Sequence, residues 1–417
     1  MSDARPSLLS LDEAFARLVA GAQGALIADA ESVDTFDALG RVLARDVVSA
    51  IDVPPQDNSS MDGYALRVAD VTAVGAELPL SQRIAAGHVG SALDPGSAAR
   101  IFTGAQVPPG ADAIVMQEQC VPLDGGRVRI DTMPQPGQWI RRRGEDVSAG
   151  AVVLSRGLRL TPQAMGLAAT VGAATLKVCR RPRVALFSTG DELVMPGTVA
   201  PDDLPPGAIY NSNRFTLRGL LQAAGCEVQD LGIVPDRLDA TRAALRHAAQ
   251  SNDLILTSGG VSVGEEDHIR PAVAAEGRVD LWQVAMKPGK PLAFGALPRP
   301  DGREALFMGL PGNPVSSFVT FLLAVAPVLR TLQGADPSLP APLALRADFD
   351  LARPDRRREF LRVRRNGTGG VDLFPNQSSG VLTSAVWADG LVDNPAGQAI
   401  SRGDTVRFLP MELLVGR

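Results

Sequence analysis

The sequence predicts a multidomain α/β plus β protein: a central α/β domain with a mostly parallel sheet, a helical linker domain, an inserted β-rich domain and a C-terminal β-domain. Three observations predict it. From Arg183 to about Gln333, apolar strand-like runs (RVALF, CEVQDLGIV, DLILT, VDLWQVA, EALFMGL) alternate with amphipathic stretches over 213–224 and 238–249. Nearly unbroken apolar strands of this kind imply a mostly parallel sheet covered on both faces. Between Val53 and about Ile140, short β-branched runs (ARIFTG, DAIVMQE, GRVRI) are instead separated by turn clusters (LDPGS, VPPGAD, LDGG, PQPGQ), the texture of a small β-rich domain. After the Pro-rich linker GADPSLPAPLAL, short strands and turns return. The expected divisions are 1–52 with 147–180 (helical linker), 53–146 (insertion), 181–333 (α/β) and 334–417 (C-terminal β).

At the N-terminus, Ser10 and Glu13 form a capping box, and Leu11, Phe15, Leu18 and Val19 then line one helical face. A second short helix is expected through Ala38, Val42 and Leu43. Helical character returns at Thr161-Pro162, an N-cap followed by proline at the first helical position. That helix is expected to pack back on the N-terminal ones, which makes the β-rich segment an insertion. The uncharged stretch Ala305 to Leu329 is interrupted by Pro311, Gly312, Asn313 and Pro314. About a dozen apolar-rich residues remain before Pro327, too few to cross roughly 30 Å of hydrocarbon, so a buried core helix is expected and no membrane span. The N-terminus does not read as a signal peptide, so a cytoplasmic location is expected.

With 41 basic and 46 acidic residues among 417 and only 4% aromatics, the chain lacks the positive field and stacking platforms of a nucleic-acid binder. Cys120, Cys179 and Cys226 are far apart and odd in number, and His88, His247 and His268 are equally scattered. A metal here would be held by oxygen, which favours Mg²⁺ over Zn²⁺.

The unusual loops of the α/β domain each fall just beyond the carboxyl end of a predicted strand, the edge where open α/β sheets bind ligands. They are Ser188-Thr189-Gly190-Asp191-Glu192, Val234-Pro235-Asp236, Ser258-Gly259-Gly260, Lys287-Pro288-Gly289-Lys290 and Leu310-Pro311-Gly312-Asn313-Pro314. Ser258-Gly259-Gly260 offers backbone N–H groups free of Cβ obstruction, as an anion cradle requires. Lys287 and Lys290 add cations, while Asp191, Glu192, Asp236, Glu265, Glu266 and Asp267 supply hard oxygen ligands. The combination points to a phosphorylated or oxyanionic substrate with Mg²⁺. Read singly, each loop is more ordinary: a strand-to-helix turn, acids complementing a helix dipole, Asn313 capping a helix. Their convergence on one edge carries the inference. The insertion holds a second polar cluster, Asp57 to Tyr64, with Ile101-Phe102-Thr103-Gly104 and Arg141-Arg142-Arg143-Gly144-Glu145-Asp146.

The strings DNSSMDGYA, IFTGAQVPPGAD, IRRRGEDV, FSTGDEL, NSNRFTL, SGGVSVGEEDH, KPGKPLAFG, LPGNPVSS, RREFLRVR and WADGLV together resemble the MoeA family of molybdopterin molybdenumtransferases, also found as the E domain of gephyrin. They occur in family order from about residue 41 to residue 410. The resemblance implies that the α/β domain is related to the MoaB/Mog-type molybdopterin adenylyltransferases and that the chain forms an elongated homodimer. It also implies the reaction: molybdenum from molybdate enters the dithiolene of adenylylated molybdopterin and AMP is released, with Mg²⁺ assisting. Transient contact with an adenylyltransferase and with molybdoenzyme chaperones would follow. Carried over by motif, the catalytic candidates are Asp62, Asp146, Glu192 and Asp267. The substrate-binding candidates are Thr103, Ser258, Gly259, Gly260, Lys287, Lys290, Pro311, Arg357 and Ser379. Mg²⁺ would fall to Asp267, with Asp236 or Glu192 second. The chain departs from the family pattern at His268, Arg356 and Ser378. Two other readings remain: an adenylyltransferase acting on molybdopterin, and a gephyrin-like scaffold without catalysis.

Overall fold

The structure, a computed structural model, describes residues 8–261 and 268–415. The N-terminal capping box forms: Ser10 Oγ accepts from the Glu13 N–H at 3.2 Å, and the Glu13 carboxylate accepts from the Ser10 N–H at 2.9 Å. The helix Leu11–Gln23 that follows buries Leu11, Ala14, Leu18 and Ala22. Its core partners lie in the α/β domain rather than on the helix Pro162–Thr170, whose Ala164 and Ala168 pack with Ala38, Leu43, Leu154 and Val178. Thr161 caps that second helix as its sequence predicts, accepting from the Ala164 N–H at 3.3 Å.

The short helix expected through Ala38, Val42 and Leu43 does not form. Asp34 caps only a single 3-10 turn, Thr35–Asp37, and Gly40 then takes φ +74°. Val42 and Leu43 are drawn into antiparallel bridges with Arg159 and Val178. Non-local pairing overrides a local apolar pattern here: Ala30–Asp34 pairs antiparallel with Thr175–Cys179, and Val47–Val48 with Val152–Leu154. The linker region is therefore held by strands as much as by helices. The bridge Val53↔Val147 marks where the chain leaves and returns. Between these points a six-stranded sheet is filled by its own residues, Tyr64, Leu66, Val115 and Ile130 on one face and Ala65, Ile84, Ile101 and Ile114 on the other.

In the α/β domain we number the strands β1 (Arg183–Thr189), β2 (Glu227–Val234), β3 (Leu254–Ser258), β4 (Arg278–Gln283), β5 (Pro291–Pro298) and β6 (Glu304–Leu310). The sheet order is β2-β1-β3-β6-β5-β4. The pairings β1–β2, β1–β3 and β3–β6 are parallel, while β5 runs antiparallel to β4 and β6. The helices are α1 (Ser212–Ala223), α2 (Leu238–Ala249), α3 (Ile269–Glu276) and α4 (Pro314–Leu332). Alternation along β1 sets the two faces. Val184 and Leu186 join Leu217 and Leu221 of α1 and Leu322 of α4, whereas Ala185 and Phe187 join Leu245 of α2 and Ile269 of α3. Strand β5 is absent from the sequence expectation. Because β5 returns directly from β4, no intervening helix announces it.

Helix α4 is long and apolar enough to cross a membrane, but 89% of its most apolar window is buried inside the protein. Its start differs from expectation. Asn313 makes no side-chain cap, and its backbone carbonyl accepts from the Ser317 N–H at 2.9 Å instead. In the C-terminal domain the strand Arg358–Arg365 pairs with both Gly370–Leu373 and Gly390–Asn394, which closes a barrel through Leu343–Ala347 and Thr405–Pro410. Met286–Lys287, from the loop between β4 and β5, adds to it by pairing parallel with Arg358–Glu359.

A closed ring of ion pairs ties the linker region to the base of the α/β sheet. It runs Asp29–Arg180 (3.1 Å), Arg180–Asp253 (2.7 Å), Asp253–Arg299 (3.1 Å), Arg299–Asp301 (3.2 Å), Asp301–Arg303 (2.8 Å) and Arg303–Asp29 (3.5 Å). Burial pushes the Asp253 carboxyl up, but the Arg180 fork, the Arg183 N–H and the field of Arg299 outweigh it, so the acid is held below its usual range. Asp253→Asn should cost about 3–5 kcal/mol by leaving buried arginines uncompensated, measured by urea unfolding at pH 7. A depressed folded pKa means this stability is present above the ordinary aspartate pKa and is lost as pH falls towards the folded value. The gap between wild type and variant should therefore close in acid.

Candidate active site

The carboxyl ends of the parallel strands open into one cavity of about 610 Å³. Thr189, Gly190 and Glu192 enter it from the end of β1, Asp236 from β2, Ser258, Gly259, Gly260 and Val261 from β3, and Pro311 to Pro314 from β6. Asn211 and Asn213, at the start of α1, and Gly380 of the C-terminal domain complete the wall. No lysine or arginine is among the described lining residues, so an anion in the cavity would meet neutral donors.

Two glycines make the β3 turn possible. Gly259 and Gly260 adopt φ +89° and +63°, a region costly for residues with a Cβ. A Cβ on Gly259 would lie 2.6 Å from the Thr189 carbonyl, and one on Gly260 2.7 Å from Ile269 Cγ1 and 2.8 Å from Thr189 Oγ1. The chain can thus approach β1 and a ligand only without side chains. Below the turn, the Ser188 and Ser258 hydroxyls hydrogen bond at 3.1 Å.

Three buried polar atoms of residues that line the cavity have no hydrogen-bond partner among the described residues: Thr189 Oγ1, Asn211 Nδ2 and Asn213 Oδ1. Each residue is otherwise firmly placed. Asn211 Oδ1 accepts from the Arg214 N–H at 3.1 Å to cap α1, and Asn213 Nδ2 donates to the Gly312 carbonyl at 2.7 Å. A buried polar atom left unpaired costs on the order of 1–3 kcal/mol, and three around one cavity point to a polar ligand. Sequence reasoning named Thr189 only within a ligand-edge loop and passed over both asparagines as site residues. The NSN string at a helix start was the available signal, but Asn at an N-cap already has a structural explanation.

The structure thus brings Glu192, Asp236, Ser258, Gly259, Gly260 and Pro311 to one cavity. Ser379 adjoins it through Gly380, and its carbonyl accepts from the Val315 N–H at 2.9 Å. Lys287 and Lys290 sit in the β4–β5 loop at the same edge but outside the lining. Lys287 Nζ lies 3.0 Å from Glu359 and 3.5 Å from Asp355. Arg357 pairs with the same Asp355 at 2.9 Å and holds its carboxyl well below the usual range. Lys290 is exposed and has no ion pair among the described residues. Asp62 and Thr103 are together on the inserted domain: Asp62 accepts from the Thr103 N–H and hydroxyl, each at 2.8 Å. The Thr103 N–H is the chief cause of that carboxyl's lowered pKa. Asp146 is exposed on the same domain, its N–H donating to the Val53 carbonyl at 3.0 Å. None of these three lines the cavity of its own chain. Glu265, Glu266 and Asp267 lie outside the described residues.

Among the described residues there is no cluster of three or more metal-ligating side chains. Glu192 and Asp236 nevertheless share the cavity wall, and Mg²⁺ commonly takes one or two carboxylates plus substrate phosphate. The hard-oxygen donor set therefore fits that ion.

Residues 9–172 match the N-terminal region of MoeA (domain I and II), residues 185–331 a probable molybdopterin binding domain, and residues 344–411 the C-terminal region of MoeA (domain IV). The chain is 38% identical over 417 residues to a molybdopterin molybdenumtransferase of Haemophilus influenzae, covering 98% of this chain and 100% of that protein. The chain belongs to the MoeA family. A molybdopterin molybdenumtransferase of Nostoc is 37% identical over 397 residues, covering 92% of this chain and 89% of the relative. The crystal structure of a MoeA protein of molybdopterin biosynthesis from Pyrococcus horikoshii superposes with a TM-score of 0.83 at 27% identity, covering 96% of this chain and 99% of that one. The multidomain α/β plus β architecture is thus that of MoeA proteins, and every residue lining the cavity except Gly380 falls within the part matching the molybdopterin binding domain.

Proposed function

We propose that this MoeA-family enzyme inserts molybdenum from molybdate into the dithiolene of adenylylated molybdopterin, with release of AMP, in molybdenum-cofactor biosynthesis. The observation that carries this reading is the cavity at the carboxyl edge of β1, β3 and β6, where a glycine turn and three unpaired polar atoms await a polar ligand. The Gly259 N–H is spent on the Leu310 carbonyl at 3.1 Å, so of the glycine turn the Gly260 N–H would meet the phosphates, Asn211 Nδ2 would donate to them, and the Thr189 hydroxyl would bond their oxygens. Glu192 and Asp236, with Asp267 beside the same turn in sequence, would hold Mg²⁺. The ion would supply neutralisation of charge on the phosphoanhydride. Pro311 and the turn behind it would shape the wall beside the glycines, where a Cβ on Gly312 would lie 3.8 Å from Gly259 Cα. Molybdate, a tetrahedral dianion, would enter from the side of Gly380, bordered by Ser379, Arg357, Lys287 and Lys290.

The protein would act as a homodimer in the cytoplasm. Phe36, Leu39, Val48 and Val152 of the linker region are exposed apolar side chains, which supports a self-association face there. Asp62, Thr103 and Asp146 would then complete the partner's cavity. The reading is tested by supplying purified protein with adenylylated molybdopterin, Mg²⁺ and molybdate. AMP release that depends on molybdate and consumes no ATP supports it. ATP-dependent adenylylation of molybdopterin would assign the chain to the adenylyltransferases instead.

The two lysines should differ in effect. Lys287 is already half-neutralised by Glu359 and Asp355, whereas Lys290 has no acid partner among the described residues. Lys290→Ala should raise the molybdate concentration for half-maximal rate by about 10- to 100-fold, the size of one charge-assisted contact, and Lys287→Ala should raise it less. Molybdate titrations of initial rate read both; equal, negligible shifts would remove the lysines from the anion site.

A further inference from the structure

Arg362 is among the largest fully buried side chains, only 1% exposed. It stands on the barrel strand Arg358–Arg365 and makes no ion pair among the described residues. Its guanidinium donates instead to neutral oxygens: Nε to Ser384 Oγ at 3.2 Å, Nη1 to the Phe360 carbonyl at 3.3 Å, and Nη2 to the Ser378 carbonyl at 3.3 Å. These bonds are longer than the roughly 2.7–2.9 Å of strong charge-assisted contacts, so they screen the charge weakly. The nearest acid to act on it, Glu359, is already committed to Lys287 and to the Asp355 N–H at 2.8 Å. Burial pushes the guanidinium's pKa down to about 10, which leaves it cationic at neutral pH. A buried charge without a counterion is costly, and its position bears on the cavity. Ser378 begins the turn whose Gly380 lines the wall, and Ser379 of that turn is docked on the start of α4.

We infer that the buried positive charge of Arg362 makes the Ser378–Gly380 turn the anion-recognising wall of the cavity, for a doubly charged tetrahedral oxyanion. The ligand is either molybdate or a phosphate of the pterin substrate. This rests on the proposed function for its ligand and adds a positioning residue outside the cavity lining. Arg362 acts through the turn and does not touch the anion. The turn has its own anchor in the backbone. Gln377 Oε1 accepts from the Arg362 N–H at 2.9 Å, and Gln377 Nε2 donates to the Arg362 carbonyl at 3.0 Å. A side-chain substitution therefore leaves those bonds in place.

The test is titration calorimetry of the full-length protein with sodium molybdate and, separately, with inorganic phosphate, at fixed ionic strength. Arg362→Gln should weaken anion binding by roughly tenfold or more while leaving near-ultraviolet circular dichroism unchanged. Arg362→Lys keeps the charge but cannot reproduce the three-oxygen fork, and should bind within about threefold of wild type. Loss confined to molybdate identifies it as the ligand of this wall; loss confined to phosphate identifies the pterin phosphate. Wild-type binding of both anions by the glutamine variant would overturn the inference. So would a loss by the lysine variant larger than threefold, which would mark hydrogen-bond geometry rather than charge. If the glutamine variant does not fold, the lysine variant decides by the same criterion. Anion binding is read without catalysis, so a protein that binds molybdate through this wall but does not insert it would refute the proposed function alone.

Discussion

Gly260→Val should lower molybdenum insertion by at least about 100-fold, the scale on which removing one preorganised anion donor acts, while the protein stays folded. At φ +63° a β-branched residue is strained, and its Cβ would meet Ile269 Cγ1 at 2.7 Å and Thr189 Oγ1 at 2.8 Å. Both neighbours matter to the site. Ile269 is a fully buried residue of α3, and Thr189, which lines the cavity, carries one of the buried oxygens without a partner among the described residues. The turn must shift away from β1, so the Gly260 N–H is displaced from where substrate phosphates would lie. The global cost should stay near the roughly 1–3 kcal/mol of a local backbone strain, since the turn caps the sheet and does not fill its core. Gly312→Ala is the matched control. It lines the same cavity, but its added Cβ would come no closer than 3.8 Å to Gly259 Cα, and it should retain activity. Initial rates of AMP release and thermal melting separate the two effects. Normal turnover by Gly260→Val would remove the glycine turn from the substrate site.

Dissociating and remixing Asp62→Ala and Gly260→Val should return about a quarter of wild-type activity to the mixture, although each variant alone is inactive. Asp62 and Thr103 form a polar pair on an inserted domain whose core is its own, and neither residue lines the cavity of the same chain. If a partner's cavity receives that pair, a mixed dimer has one site with both defects and one with neither. Random pairing makes half the dimers mixed, which leaves a quarter of the sites intact. If each site is built from one chain, every site in a mixed dimer carries a defect and nothing returns. Subunit exchange is verified by mass-tagged chains, and exchange without recovered activity would rule out the shared site.

Much of the fold is legible because local and tertiary preferences agree. Thr161-Pro162 starts a helix, Leu238 to Ala249 is helical over that whole span, and the Ser258-Gly259-Gly260 turn ends a parallel strand. Where they disagree, the sequence misleads. Ala38 to Leu43 has a helix-like apolar spacing, but backbone pairing with Arg159 and Val178 claims it. Strand β5 is hidden because a tight return from β4 leaves no separating helix. For the site, strand-end loops reveal which residues converge, since topology places all of them on one edge. What already occupies a side chain is set by non-local contacts and stays invisible. Lys287 reads as a free cation until the barrel brings Glu359 to 3.0 Å. Arg362 is only one letter of the RREFLRVR string until its strand turns it inward. Asn211 and Asn213 carry no site role in the sequence reading beyond the NSNRFTL string, and only their unpaired atoms distinguish them.

The most direct test of the central claim, that this cavity joins molybdenum to the pterin, is the ratio of AMP released to molybdenum retained. Purified protein is incubated with adenylylated molybdopterin, Mg²⁺ and molybdate, and the product is assayed for protein-free, pterin-bound metal. One AMP per molybdenum atom inserted, with both yields falling together in Gly260→Val, is the result expected. AMP released at the same rate with and without molybdate, and no molybdenum on the pterin, would contradict it.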